Sequence, residues 1–159
     1  MRQEFFELLH FFMGEKNDIW ALTGDLGFGG FDKIQRDYPD RFINCGAAEQ
    51  AMMDMAVGLA MEGKIPFVYS ITPFLLYRPF ETLRTYVNHE KIPIILIGSG
   101  RDDDYKHDGW SHNASDDALF MQHFTSITPC YPETIEDMRF DVTMALQDRE
   151  QATYINLKR

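Results

Sequence analysis

Apolar positions along the chain follow two alternating spacings, and these spacings predict its elements. Short, mostly apolar runs predict strands, whereas longer stretches with apolar residues three and four positions apart predict helices. The predicted strands are 18–23, 41–45, 65–70, 92–98, 126–131 and 153–157. The predicted helices are 5–13, 32–38, 47–62, 74–88, 116–123 and 133–147.

The alternation of strands and helices predicts an α/β fold. We expect a doubly wound, mainly parallel six-stranded sheet with helices on both faces. The run at 92–98 is almost entirely apolar, which is typical of a strand buried on both faces. No linker, repeat or low-complexity tract divides the sequence, so we predict a single domain over 1–159.

Sites in parallel sheets form where the strands end. Four segments follow predicted strands and should therefore meet at one edge of the sheet. They are the glycine-rich turn at 24–30, the turn at 46–49, the segment 71–78 and the polar loop 99–115.

Charge and composition exclude several classes of partner. The net charge of −10 disfavours nucleic acid and anionic membranes. No apolar run reaches the ~20 residues that a membrane-spanning helix needs, and the N-terminal segment has no basic region of the kind that begins a signal peptide. Cys45 and Cys130 show neither disulfide nor metal spacing. We therefore expect a cytoplasmic protein.

The segment 42–50 places a carboxylate at the start of a predicted helix. Gly46 permits a tight turn after the strand, and Glu49 follows in the first helical turn, where the helix dipole favours a negative charge. A glutamate at this position is common in helices of any function, so this feature alone indicates no activity.

Together with its neighbours, the segment resembles the pyrimidine-binding domain of transketolases and 1-deoxyxylulose-5-phosphate synthases, which use thiamine diphosphate. The first motif comprises Gly46, Glu49, Gln50, Gly58, Leu59, Ala60, Gly63 and Pro66. The second comprises Phe74, Tyr77, Arg78, Phe80 and Glu81. The third, Asp-Gly-x-(Thr/Ser)-His, comprises Asp108, Gly109, Trp110, Ser111 and His112. Three motifs in family order are far more specific than any one of them.

The resemblance implies a role for each residue near the cofactor. Glu49 would bond N1′ of the aminopyrimidine, whose 4′-nitrogen then removes the C2 proton of the thiazolium. Ile71, Phe74 and Tyr77 would line the pyrimidine ring, with Ile71 replacing an aromatic residue of the family. Asp25, after the first strand, would lie close to the cofactor. Without the neighbouring motifs, Phe74 and Tyr77 would be interpreted as helix core.

The third motif is predicted to meet the substrate. By resemblance, Asp108 and His112 would reach the donor sugar, and a histidine can move protons there. The alternative is a solvated loop, because the segment is strongly polar. Trp110 would narrow the channel or stack on the substrate.

Residues at other positions make a phosphorylated substrate less expected. The family's phosphosugar-gripping Ser and His correspond to Gly29 and Gly100. The acidic run at 102–104 would repel a phosphate if it faced the pocket. Lys158 or Arg159 could compensate, and Arg159 is our candidate for substrate binding.

The sequence lacks the Gly-Asp-Gly…Asn motif that holds Mg²⁺ and the cofactor's diphosphate in this superfamily. The diphosphate-binding domain and the family's C-terminal domain are both missing from the 159 residues. The resemblance thus implies a split enzyme with a separate diphosphate-binding subunit, as a heterotetramer. The helices around 51–61 and 80–87 are the expected interfaces, including self-association.

The leading hypothesis is a transketolase-like subunit that helps to transfer a two-carbon ketol unit between sugars or sugar phosphates. One alternative is a beta-type subunit of a 2-oxo acid dehydrogenase or decarboxylase, which would lack the third motif. Another is a non-catalytic module that kept the fold. A nucleotide binder has no phosphate motif to support it.

Overall fold

Six strands form one sheet in a computed structural model that describes residues 1–158. They are β1 (Ile19–Thr23), β2 (Phe42–Asn44), β3 (Ile65–Ile71), β4 (Ile95–Ser99), β5 (Ile127–Cys130) and β6 (Ala152–Leu157). Their order is β2-β1-β3-β4-β6-β5, and every neighbouring pair is parallel. The predicted doubly wound sheet is confirmed, and it is parallel throughout.

Helices cover both faces of the sheet, as predicted. They are α1 (Arg2–Glu15), α2 (Asp32–Asp37), α3 (Glu49–Met61), α4 (Thr72–Tyr77), α5 (Phe80–Thr82), α6 (Asp117–Met121) and α7 (Ile135–Gln147). Alternate residues of β3 enter opposite cores, since successive side chains of a strand point to opposite faces. Phe67 joins the core that contains residues of α1 and α7, and Val68 joins the core that contains residues of α3 and α4.

The predicted single helix at 74–88 is broken into pieces. α4 ends at Tyr77, and a new helical segment begins after Pro79, which has no N–H to donate to the preceding turn. α5 continues as a π-helix over Leu83–His89. This break places Arg78 at a corner of the chain.

β4 begins three residues later than predicted, at Ile95 rather than 92. Pro93 cannot donate to a sheet ladder, and the Ile92 N–H instead donates to Tyr86 O at 3.1 Å. Among residues 1–158, no helix is both long and apolar enough to span a membrane.

The loop 99–115 is mostly irregular but contains short elements. Two 3₁₀ turns cover Lys106–Asp108 and Trp110–His112. An isolated bridge joins Asp102 to Ala114. The loop therefore folds back on itself beside the carboxyl ends of the strands.

Candidate active site

Glu49 is the first residue of α3 and is only 3% exposed. A Cβ placed on Gly24 would lie 3.4 Å from Glu49 Oε1, so the turn after β1 packs against this carboxylate. Two strand-end turns thus meet at Glu49, as the parallel sheet predicts.

Asn44 ties these two turns together. The N–H groups of Asp25 and Gly46 both donate to Asn44 Oδ1 at 3.0 Å. Asn44 Nδ2 donates to Asp25 Oδ1 at 3.2 Å. Asp25 and Gly46 both have positive φ angles, 57° and 66°, and for Asp25, a non-glycine residue, these hydrogen bonds help to offset the strain.

Arg78 lies against both Glu49 and Phe74. Its Nη1 donates to Glu49 Oε1 at 2.8 Å, and its Cζ is 3.5 Å from the centroid of the Phe74 ring. The guanidinium therefore lies over the aromatic ring while one of its nitrogens bonds the carboxylate. These contacts define a slot, with Glu49 at its edge and Phe74 as its floor.

His112 extends this group of contacts. Its ring meets Phe74 edge to face, with centroids 4.9 Å apart. The Ser111 hydroxyl lies 3.0 Å from His112 Nδ1, and the His112 side chain is half-buried. Thus Glu49, Arg78, Phe74 and His112 form a continuous series from α3 to the loop.

Tyr77 faces another neighbour. Its hydroxyl donates to Asp116 Oδ1 at 2.6 Å, and its ring meets Phe120 edge to face at 4.8 Å. Burial, together with the hydrogen bond to Asp116, raises the pKa of Tyr77. Ile71 is half-buried at the end of β3. The role of these two residues beside a pyrimidine ring stays a prediction.

The remaining predicted site residues are more exposed. Asp25 is exposed and bonded to Asn44. Asp108 is exposed, 3.2 Å from His107 Nε2. Trp110 is 80% exposed. Arg159 lies outside the described residues.

Buried charged side chains anchor the chain near both ends of the loop, at Arg101 close to its start and at Asp117, the first residue of α6, just after it. Arg101, 7% exposed, donates from Nη2 to Asn156 O at 2.6 Å and to Pro132 O at 2.9 Å. Asp117, 3% exposed, accepts from Asn156 Nδ2 at 2.5 Å and from the Tyr154 hydroxyl at 2.8 Å. Asn156 of β6 therefore contacts both loop ends.

The positions considered for gripping a phosphate also have defined surroundings. A Cβ on Gly100 would lie 2.2 Å from the Tyr105 ring, and its φ of +84° also disfavours a side chain. Lys158 donates to Glu133, and this hydrogen bond lowers the pKa of the Glu133 carboxyl. Within residues 1–158, no group of three or more His, Cys, Asp or Glu side chains could hold a metal ion.

A buried carboxylate at a helix start and an aromatic ring, both contacted by one arginine, thus lie where strands of a parallel sheet end, the usual place for a site in such folds. The family pattern described as "Transketolase, pyrimidine binding domain" matches residues 1–159. The chain belongs to this family, and the resemblance inferred from the sequence is confirmed.

Comparisons with individual proteins agree with this family match. The chain is 31% identical over 122 residues to a putative transketolase C-terminal section of Methanocaldococcus jannaschii, covering 76% of this chain and 39% of the relative. It is 29% identical over 111 residues to one subunit of the apulose-4-phosphate transketolase of Actinobacillus succinogenes, covering 70% and 36%. A split-gene transketolase, solved as an inactive β4 tetramer, matches with a TM-score of 0.85 and 28% identity. That match covers 99% of this chain and 51% of the other.

The chain thus spans about two fifths of the length of these curated relatives. Family membership implies thiamine diphosphate binding. The described residues fit its aminopyrimidine part, because the slot already accommodates a flat nitrogen-bearing group between Glu49 and Phe74.

Sequence reasoning missed several residues of this region. Arg78 belongs to the second motif, but its side-chain direction depends on the break at Pro79. Asn156 is a polar residue in an apolar strand, a signal that could have been noticed. Arg101 lies between a glycine and three aspartates, and nothing in that pattern predicts its burial.

Proposed function

We propose that this chain is the pyrimidine-binding subunit of a split transketolase-like enzyme that transfers a two-carbon ketol unit between sugars or sugar phosphates. The observation that carries this proposal is the buried Glu49 carboxylate, which Arg78 joins to the Phe74 ring. Membership of the transketolase pyrimidine-binding family supports it.

Glu49 would act on the pyrimidine ring. Bound thiamine diphosphate would supply an acidic C2–H group and an electron sink for the donor carbon. Glu49 would hydrogen-bond N1′ and share a proton with it, held in place by α3. Phe74 would pack on the ring, and the surrounding core would exclude water.

The loop would meet the donor sugar. His112 contacts Phe74, so it lies beside the proposed ring site and would move a proton at a substrate hydroxyl or carbonyl. Asp108 would accept a hydrogen bond from a sugar hydroxyl, and Trp110 would border the channel. The Asp108–His112 motif favours this function over a 2-oxo acid dehydrogenase subunit.

A phosphate on the substrate, if present, would have to be bound by other residues. At Gly100 the Tyr105 ring occupies the place of a side chain, and Lys158 is paired with Glu133. These contacts support a substrate without a phosphate at that position, or one whose phosphate is bound by Arg159 or by the partner.

A separate subunit would hold Mg²⁺ and the diphosphate, in a heterotetramer. Two relatives, one described as a transketolase subunit and the other as a split-gene transketolase, support a partner. Exposed Met61 and Tyr86 border a cleft of about 640 Å³ between α3 and the segment after α5, which supports an interface there, including self-association.

Co-purification with a candidate partner carrying Gly-Asp-Gly…Asn tests the proposal. Calorimetry would then titrate thiamine diphosphate and Mg²⁺ into the chain, the partner and the mixture. We expect tight binding only in the mixture and C2-proton exchange that Glu49→Gln abolishes. If no complex forms, or if Glu49→Gln leaves the C2-proton exchange of the mixture unchanged, the non-catalytic module becomes the leading hypothesis.

A further inference from the structure

The proposed pyrimidine slot is filled by a side chain of the protein itself. The Arg78 guanidinium is 3.5 Å from the Phe74 centroid, which is van der Waals contact between two flat groups. Its Nη1 is simultaneously 2.8 Å from Glu49 Oε1. A second planar group therefore cannot enter between Arg78 and Phe74.

The guanidinium makes the contacts in the slot that an aminopyrimidine would make. Both groups are flat, both present nitrogen atoms at an edge, and both can lie on an aromatic face. The same two protein groups, the Glu49 carboxylate and the Phe74 ring, would bind either of them. Arg78 and the pyrimidine would therefore compete for one position.

The contact also explains how Glu49 is tolerated in the free chain. A carboxylate that is 3% exposed is costly unless it is paired. Arg78 supplies that pairing from a side chain that is itself 45% exposed. This partial exposure leaves the side chain room to swing into solvent.

We propose that Arg78 is a plug: in the free chain its guanidinium fills the pyrimidine slot, and the cofactor binds only after Arg78 swings out. The identity of the ligand rests on the proposed function, whereas the Glu49–Arg78–Phe74 contact does not. The apparent affinity for the pyrimidine is lowered by the fraction of molecules in which the slot is open.

Thiamine is the probe for this plug, because it carries the pyrimidine without the diphosphate that the partner would hold. Titration into the free chain compares wild type, Arg78→Ala and the matched control Arg84→Ala, an exposed arginine of the next helical segment. We expect Arg78→Ala to bind thiamine at least about tenfold more tightly than wild type, as for an open state populated at 10% or less. Arg84→Ala should match wild type. Equal or weaker binding by Arg78→Ala, or no binding by any variant, overturns the plug.

A second measurement does not depend on whether Arg78→Ala folds well. In the wild-type free chain, NMR should show the Arg78 Nε–H signal displaced upfield by the Phe74 ring, and Phe74→Leu should remove that displacement. Saturating thiamine should remove it as well. A signal without displacement, or one that persists at saturation, contradicts the proposal.

The two proposals fail separately. C2-proton exchange in the wild-type mixture, without tighter thiamine binding by Arg78→Ala, would overturn the plug and leave the enzyme function standing. A displaced Arg78 signal that thiamine removes, with no exchange in the mixture, would support the plug and reject the enzyme function.

Discussion

Glu49 and Trp110 belong to motifs of the same family, yet their surroundings contrast. Glu49 is 3% exposed at the start of α3 and is packed against the turn after β1, whereas Trp110 is 80% exposed on a 3₁₀ turn. The core therefore fixes the group proposed to act on the cofactor. The group proposed to meet the substrate lies on a surface loop, where change costs little stability.

The loop is nevertheless not loosely attached. Arg101 and Asp117 fix its two ends to Asn156 of β6. The contrast is thus between the buried Glu49 carboxylate and an exposed loop that is attached to the core through the buried side chains of Arg101 and Asp117. Substitutions at Glu49, Arg101, His112 and Trp110 should separate the roles of these parts.

The largest effect is expected at Glu49. Glu49→Gln can still accept from Arg78 but cannot share an acidic proton, so we expect C2-proton exchange in the mixture to fall by about 10³-fold. Hydrogen–deuterium exchange followed by NMR measures this rate. Glu62→Gln, at the other end of α3, is the control and should exchange like wild type. If Glu49→Gln retains the wild-type exchange rate, Glu49 does not act on the cofactor, and it differs from Trp110 in packing alone.

Next comes Arg101, the anchor at the start of the loop. Arg101→Met leaves the carbonyls of Pro132 and Asn156 without this donor, and we expect the free energy of unfolding to fall by about 2–4 kcal/mol. Its pair with Glu133 adds little, because Glu133 is 62% exposed.

Urea unfolding measures this loss, with Arg139→Met, an arginine that is 52% exposed, as the control. The control should change by less than about 0.5 kcal/mol. Equal effects of the two variants would show that Arg101 is not an anchor.

His112 should separate substrate chemistry from cofactor activation. We expect His112→Asn to lower ketol transfer by about 100-fold, because its proposed proton transfer is lost, while C2-proton exchange stays unchanged. Coupled kinetics and exchange, measured on one preparation, check this, with exposed His89→Asn as the control. If ketol transfer and C2-proton exchange fall together, His112 acts in cofactor activation rather than on the substrate.

The smallest effect on stability is expected at Trp110. Because its side chain is 80% exposed, Trp110→Ala should change the free energy of unfolding by less than about 0.5 kcal/mol. Any change should appear in the KM of the sugar donor. A large loss of stability would mean that the loop is packed more like the Glu49 region than the structure indicates.

The sequence predicted the parts that depend on local patterns. The apolar run that contains β4 and the Gly-x-x-Glu helix start of α3 follow from neighbouring residues. The break at Pro79 could have been inferred from the missing N–H. The π-helix at Leu83–His89 has no such signal in the apolar spacing.

The contacts between distant segments could not be predicted in this way. The motif contains Arg78, but only the fold shows that its side chain turns to Glu49, 29 residues away. Likewise, Tyr77 has the spacing of a ring-lining residue and yet bonds Asp116. Spacing fixes where a residue stands along the chain, whereas long-range packing decides which group it contacts.

The most direct test of the central claim is a crystal structure of this chain, its partner, Mg²⁺ and thiamine diphosphate. We predict that a Glu49 carboxylate oxygen lies about 2.6–3.2 Å from N1′ of the pyrimidine, with the ring on Phe74. A cofactor bound with its pyrimidine away from Glu49 would contradict the account.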